Sequence, residues 1–240
     1  MKQYKTKQPY NIHSKVEDAE LFETMERVRK YASKNLQLPE GYIFERWNKI
    51  PYDRIYNWHL NSGVPITEIS YLLKKNPSGN FASIEPDGGM IVAVKKDNGG
   101  NIINWIPLLA SEAKHQESDK GNAIERVFKN YNAIKDIFMA YDIFPYVCFG
   151  QGIGLASAFE QNKLTIGMGN DVNLDININD YKYPLLENNN TIIKCTPKRC
   201  VERKKGHFLV RKKRWDEDEM FGRLVSVIKQ SYDYFFMGSE

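Results

Sequence analysis

The chain predicts an α/β fold in which a mixed central β-sheet is flanked by helices. Two apolar runs, 90–95 and 102–114, are separated by the turn Asp97-Asn98-Gly99-Gly100, which predicts a pair of adjoining strands. A third run, 144–150, is apolar and aromatic and suits a central strand. Around these lie helical periodicities, giving the order α, α, β, β, α, β, irregular, α expected of a sheet covered by helices.

Taken in order, residues 14–35 predict a helix. Ser14 and Glu17 form an S-x-x-E capping box, and Leu21, Met25, Val28 and Ala32 share one face. A short helix over 65–75 is opened by Pro65 at its first position. After the two strands, 122–140 is predicted helical, with Ala123, Val127, Ile134 and Phe138 spaced for burial. The stretch 151–190, rich in Gly and Asn, is predicted irregular. Its Gln151-Gly152-Ile153-Gly154 is not taken as a dinucleotide loop, because no helix is expected after it. A closing helix over 217–235 carries Met220, Phe221, Leu224, Val225 and Ile228 on one side. The 240 residues are expected to form one domain, with a helical part at 1–60, a core at 67–149, and a basic and helical part at 150–240.

Composition narrows the class. Hydrophobic content of 42% and charged content of 27% fit a soluble globular chain. No apolar run approaches the roughly 18 residues of a membrane span. The opening M-K-Q-Y-K-T-K-Q lacks an apolar core, which predicts no secretory signal. Cys148, Cys195 and Cys200 are then expected to be reduced thiols in a cytoplasm. Net charge is only +4, but ten Lys or Arg against one acid fall between Lys194 and Arg214, leaving 24 bases against 29 acids elsewhere. A basic block on an acidic body fits a polyanionic partner, and also a solvated lysine-rich hairpin. Cys195, Cys200 and His207 offer only three ligands at an unusual spacing, too few for a zinc site. His13 and His59 read as surface or core residues, Trp105 as core, and the acidic run 216–219 as a helix start favoured by the macrodipole.

Glu112 and Lys114 are two apart in a strand and so point to one face. Asp87 precedes the neighbouring strand, which the 97–100 turn folds back alongside. Two carboxylates and an ammonium thus meet at one end of a sheet, a set that can hold Mg²⁺ through hard oxygen ligands while the lysine offsets charge on a phosphate. Further on, Gly121-Asn122-Ala123-Ile124-Glu125-Arg126 has two readings. Asn122 and Glu125 can form a capping box. Asn, Glu and Arg are also the side chains that pair with adenine edges, amino groups and purine N7 in the major groove.

The run E-P-D-G-G-M-I-V-A-V-K-K-D-N-G-G…E-A-K-H-Q…G-N-A-I-E-R…K-N…F-P-Y-V resembles the EcoRI-type restriction endonucleases, a branch of the P-D…(D/E)-x-K nuclease superfamily. Thr67-Glu68-Ile69, Lys74-Lys75, Arg214-Trp215-Asp216 and Met220-Phe221 extend the resemblance. It implies that Asp87, Glu112 and the Ala113 carbonyl hold Mg²⁺, that Lys114 is catalytic, and that His115 and Gln116 flank the scissile phosphate. It further implies that Asn122, Ala123, Glu125 and Arg126 read A-A-T-T, and that Lys129 and Asn130 grip backbone phosphate. No arginine lies between Arg126 and Arg199, where the family's outer-base readers are sought, so the base pair flanking A-A-T-T stays open. The expectation is a homodimeric type II restriction endonuclease that cuts double-stranded DNA to leave 5′ overhangs, paired with an adenine DNA methyltransferase. Two alternatives remain: a repair or structure-selective nuclease of the same superfamily, and a non-cleaving DNA-binding protein.

Overall fold

A computed structural model describes residues 10–66, 69, 83–117, 130–131, 133–141, 143–161, 174–177 and 206–237, with the backbone alone for 10–16, 158–161 and 174–177. In chain order the elements are α1 (Tyr10–Asn35), β1 (Tyr42–Trp47), β2 (Ile50–Pro51), α2 (Tyr52–Asn61), β3 (Ser83–Ile84), β4 (Gly89–Lys96), β5 (Ile102–His115), β6 (Tyr146–Gln151), α3 (Ile153–Gln161), β7 (Leu174–Asn177), β8 (His207–Arg211) and α4 (Glu217–Tyr232). Among the described residues, six strands form one mixed sheet in the order β1-β4-β5-β6-β8-β7, and β2 pairs with β3. The β1, β4 and β5 strands run antiparallel, whereas β5, β6 and β8 run parallel. β5 therefore belongs to both halves, as the expected mixed sheet requires.

The two faces bury separate cores. One holds Val92, Val94, Trp105, Tyr146 and Cys148 beneath α2 and the helical residues around Ile134 and Phe138. The other holds Ile91, Leu109, Val147 and Phe149 beneath α1 and α4. Leu21, Met25, Val28 and Ala32 of α1 are fully buried there, so the predicted stripe of that helix is the stripe that packs. In α4, Met220, Leu224 and Ile228 are buried, and Asp216 caps the helix by accepting from the amides of Asp218 and Glu219. The 97–100 turn forms as expected: Asp97 Oδ1 accepts from the amides of Gly99 and Asn101, and Gly100 takes φ +82°. No helix among the described residues is long and apolar enough to cross a membrane.

Three expectations need correction. The α1 helix begins at Tyr10, so Ser14 is inside the helix and is not its cap. Its proposed capping partner Glu17 faces His115 instead, with Glu17 Oε1 2.7 Å from His115 Nδ1. The 1–60 part is not simply helical, since Y-I-F-E-R-W forms the edge strand β1. The 151–190 stretch is not irregular throughout: α3 follows Gly152 directly and β7 lies further on. Gly152 makes that start possible. It takes φ +104°, and a Cβ there would lie 2.2 Å from the Gln116 carbonyl oxygen, a contact only glycine tolerates. The Ile69 amide bonds the Pro65 carbonyl at 3.2 Å, as a helix opened by Pro65 requires. The rest of that predicted helix, and the Cys195 and Cys200 pair, lie outside the described residues.

Candidate active site

β5 and the turn ahead of β4 bring the three predicted groups together. Register aligns Glu112 with Cys148 and Lys114 with Gly150 of β6, placing both side chains on the face of Ala110 and Tyr146 while Ala113 turns to the other core. The turn 86–89 is tied to β5 through the Gly88 amide on the Ser111 carbonyl (3.0 Å) and closed by the Gly89 amide on the Pro86 carbonyl (2.8 Å). This leaves Asp87 over β5, where its Oδ2 accepts from the Ala113 amide at 3.2 Å. Lys114 Nζ donates to Glu112 Oε2 at 2.6 Å and also to Asp87 Oδ2.

Gly89 is what lets the turn come this close. It takes φ +76°, and a Cβ there would stand 2.8 Å from the Trp47 carbonyl oxygen. At Gly88 the nearest atoms to an added Cβ would be the Leu21 and Met25 Cγ atoms, at 3.0 Å, a side-chain clash with no left-handed φ behind it. Gly89→Ala is therefore expected to destabilise by about 1–3 kcal/mol, which lowers the melting temperature by roughly 2–12 °C. Gly88→Ala should cost less. Thermal melts of the two variants check the ranking, and equal melting temperatures would contradict it.

The electrostatics are those of a cluster short of positive charge. The Glu112 side chain is only 1% exposed. Its burial, together with a hydrogen bond shared with Asp87, pushes its carboxyl up to about 8. Burial pushes Asp87 up as well, but the bond from Glu112 and the Lys114 ammonium hold it below its ordinary range. Burial works against the charge on Lys114, and Glu112 and Asp87 overcome it, so the lysine holds its proton more tightly than usual. Two carboxyl groups thus share one ammonium and one proton, and a divalent cation with hard oxygen ligands, taking that proton's place, fits the donor set. Among the described residues no set of three His, Cys, Asp or Glu side chains converges as metal ligands. The rest of such a cation's shell would then come from water, phosphate or a backbone carbonyl such as that of Ala113.

The other expected site residues fall in varied places. His115 is held between carboxylates, Nδ1 to Glu17 and Nε2 to Glu117 Oε1 at 2.9 Å. The Gln116 backbone bonds across to Gln151 and Leu155, which seats it under α3. Asn130 is half-buried, and its Nδ2 lies 3.4 Å from Glu112 Oε2, so it is drawn into the carboxylate cluster. Gly121 to Arg126 and Lys129 lie outside the described residues. Sequence reasoning missed a further acid. Asp18 on α1 is pushed up to about 6, by burial first and then by the Asp87 charge, which places it beside the cluster. No signal in the sequence marks it, since its approach to the cluster depends on how α1 docks.

The family model described as Restriction endonuclease EcoRI matches residues 78–239, about two thirds of the chain. The chain belongs to the EcoRI restriction endonuclease family. Its EcoRI-type relatives include the type II restriction enzyme EcoRI of Escherichia coli, 36% identical over 138 residues, covering 46% of this chain and 47% of that protein. The type II restriction enzyme RsrI of Cereibacter sphaeroides is 36% identical over 103 residues, covering 34% of this chain and 35% of that protein. The match thus spans about half the length of the first relative and about a third of the second. The family match takes in Asp87, Glu112 and Lys114 but not α1 or β1.

Proposed function

We propose that this chain is a Mg²⁺-dependent type II restriction endonuclease that acts as a homodimer on a palindrome with an A-A-T-T core. The observation that carries this reading is the convergence of Asp87, Glu112 and Lys114 into one mostly buried cluster at the end of β5. Asp87 and Glu112 would hold the cation, with the Ala113 carbonyl as a further ligand. Bound there, Mg²⁺ supplies a water of lowered pKa and stabilises charge on the phosphate. Lys114 keeps its proton under two carboxylates, so its role is to orient the attacking water and offset phosphate charge rather than to act as a base. His115 and Gln116 stand at the same strand end, beside the expected scissile phosphate. Asn122, Ala123, Glu125 and Arg126 would read the A-A-T-T, and Lys129 would grip phosphate. Asn130 would grip phosphate as well, with its Nδ2 3.4 Å from Glu112 Oε2.

A palindrome read by two identical subunits requires a twofold axis, with each active site cutting one strand. Cutting just outside A-A-T-T would leave 5′ overhangs, and an adenine methyltransferase would protect the host DNA. The setting would be the cytoplasm.

One digestion tests the reading. The protein is incubated with Mg²⁺ and a phage genome, and the fragment ends are sequenced. Ends at a discrete site containing A-A-T-T are expected. A smear would point to a repair or structure-selective nuclease. Intact DNA would leave a DNA-binding protein without cleavage.

A further inference from the structure

We infer that Arg46, on β1 and outside the family match, is a positioning residue that fixes Asp87 and so sets how tightly the carboxylate pair holds a divalent cation. The inference rests on the endonuclease reading for the identity of the site, and it gives the 1–60 part a role in that site.

Its geometry joins three elements. Asp18, Phe22 and Glu26 lie four apart along α1 and form one stripe. Asp18 lies within electrostatic reach of Asp87. The Arg46 guanidinium sits over the Phe22 ring, 3.4 Å from its centroid. Arg46 Nε lies 3.5 Å from Glu26 Oε2, and Nη1 reaches the Gly88 carbonyl oxygen, also at 3.5 Å, a long charge–dipole contact. The next residue on β1, Trp47, presents its carbonyl to Gly89. The turn that carries Asp87 is thus clasped from outside by β1 and α1, and from inside by β5.

A merely structural role does not call for an arginine here. The Arg46 side chain is only 9% exposed, and burying a cation is costly. Arg46 is only the second partner of Glu26, since Arg29 bonds both Glu26 oxygens, at 3.0 Å from Nε and 2.6 Å from Nη2. An aliphatic side chain of similar length would fill the same space between α1 and the turn. What it could not supply is a positive charge aimed at the carbonyl of the residue after Asp87, beside a cluster that also contains Glu112 and Asp18. Groups outside the ligand shell that orient the ligands typically change metal affinity by about 10–100-fold when removed.

The test is a double-mutant cycle read by calorimetry. Ca²⁺ is titrated into the protein bound to an A-A-T-T duplex, for wild type, Arg46→Met, Arg46→Lys, Asp87→Asn and Arg46→Met with Asp87→Asn. Arg46→Met should weaken Ca²⁺ binding by about 10–100-fold, and Arg46→Lys by less. Duplex affinity without divalent cation should stay within about twofold of wild type. With Asp87→Asn already present, Arg46→Met should add less than about twofold, because the residue acts through Asp87. A folded Arg46→Met protein with wild-type Ca²⁺ affinity would overturn the inference, and so would an equal loss in both backgrounds. If Arg46→Met does not fold, Phe22→Leu removes the ring under the guanidinium and should shift Ca²⁺ affinity several-fold in the same direction; no shift would count against the proposal. Wild-type protein that fails to cut the duplex with Mg²⁺ would sink the endonuclease reading, while the Ca²⁺ series still reads Arg46.

Discussion

Glu112→Ala or Asp87→Ala is expected to abolish cleavage while the protein still binds its cognate duplex. Each change removes half of a carboxylate pair that shares one ammonium. Transition-state stabilisation by a bound cation amounts to several kcal/mol, and about 1.4 kcal/mol is a tenfold change in rate. Cleavage should therefore fall by on the order of 10³-fold or more. Binding should survive because the residues proposed to read bases, Asn122 to Arg126, are a different set from the carboxylates. Gel shifts and cleavage assays on the same preparations decide the matter. If cognate binding vanished together with cleavage, even with Ca²⁺ supplied, the proposed separation of roles would be wrong.

Asn122→Asp should be as damaging by a different route. Were Asn122 only a helix cap, aspartate would serve equally well and its charge would suit the helix N-terminus. As an adenine reader, aspartate cannot donate to N7 and brings negative charge towards it. A lost bidentate base contact costs about 1–3 kcal/mol of discrimination. The twofold axis imposes that loss twice, so cognate cleavage should drop between about 30-fold and about 10⁴-fold. The melting temperature should not change under either role. A stable and fully active Asn122→Asp protein would remove base reading from this motif and leave the carboxylate cluster untouched.

The legible parts of the fold were those set by local chemistry. Asp97 and Gly100 announce the hairpin, and the two-residue spacing of Glu112 and Lys114 places both on one face whatever the rest of the chain does. The start of α1 was not legible, because an S-x-x-E quartet reads the same at a helix start and inside a helix. The α3 helix was hidden by the glycine before it, whose left-handed φ marks a turn in sequence but here serves to pass the Gln116 carbonyl. The strand β1 had an aromatic, alternating pattern that could have been read. The contacts of Arg46 and Asp18 with the site could not, since they depend on α1 and β1 docking on a turn some forty to seventy residues away in sequence.

The long strand β5 has a consequence for how molecules of this protein can fail. Its pairing with β4 already changes step between Ile91 and Val92 and between Lys95 and Lys96. A strand that slips by one residue exchanges its two faces. A slipped β5 would present Ser111, Ala113 and His115 where Glu112 and Lys114 belong, and would turn Glu112 and Lys114 into the apolar core of Leu109, Val147 and Phe149. Burying those charges away from their partners is costly, so the slipped register is strongly disfavoured, and a molecule caught in it would cut nothing. The active fraction of a refolded preparation, titrated against cognate duplex under single-turnover conditions, is thus expected to match the fraction folded, and a shortfall would report misthreaded strands.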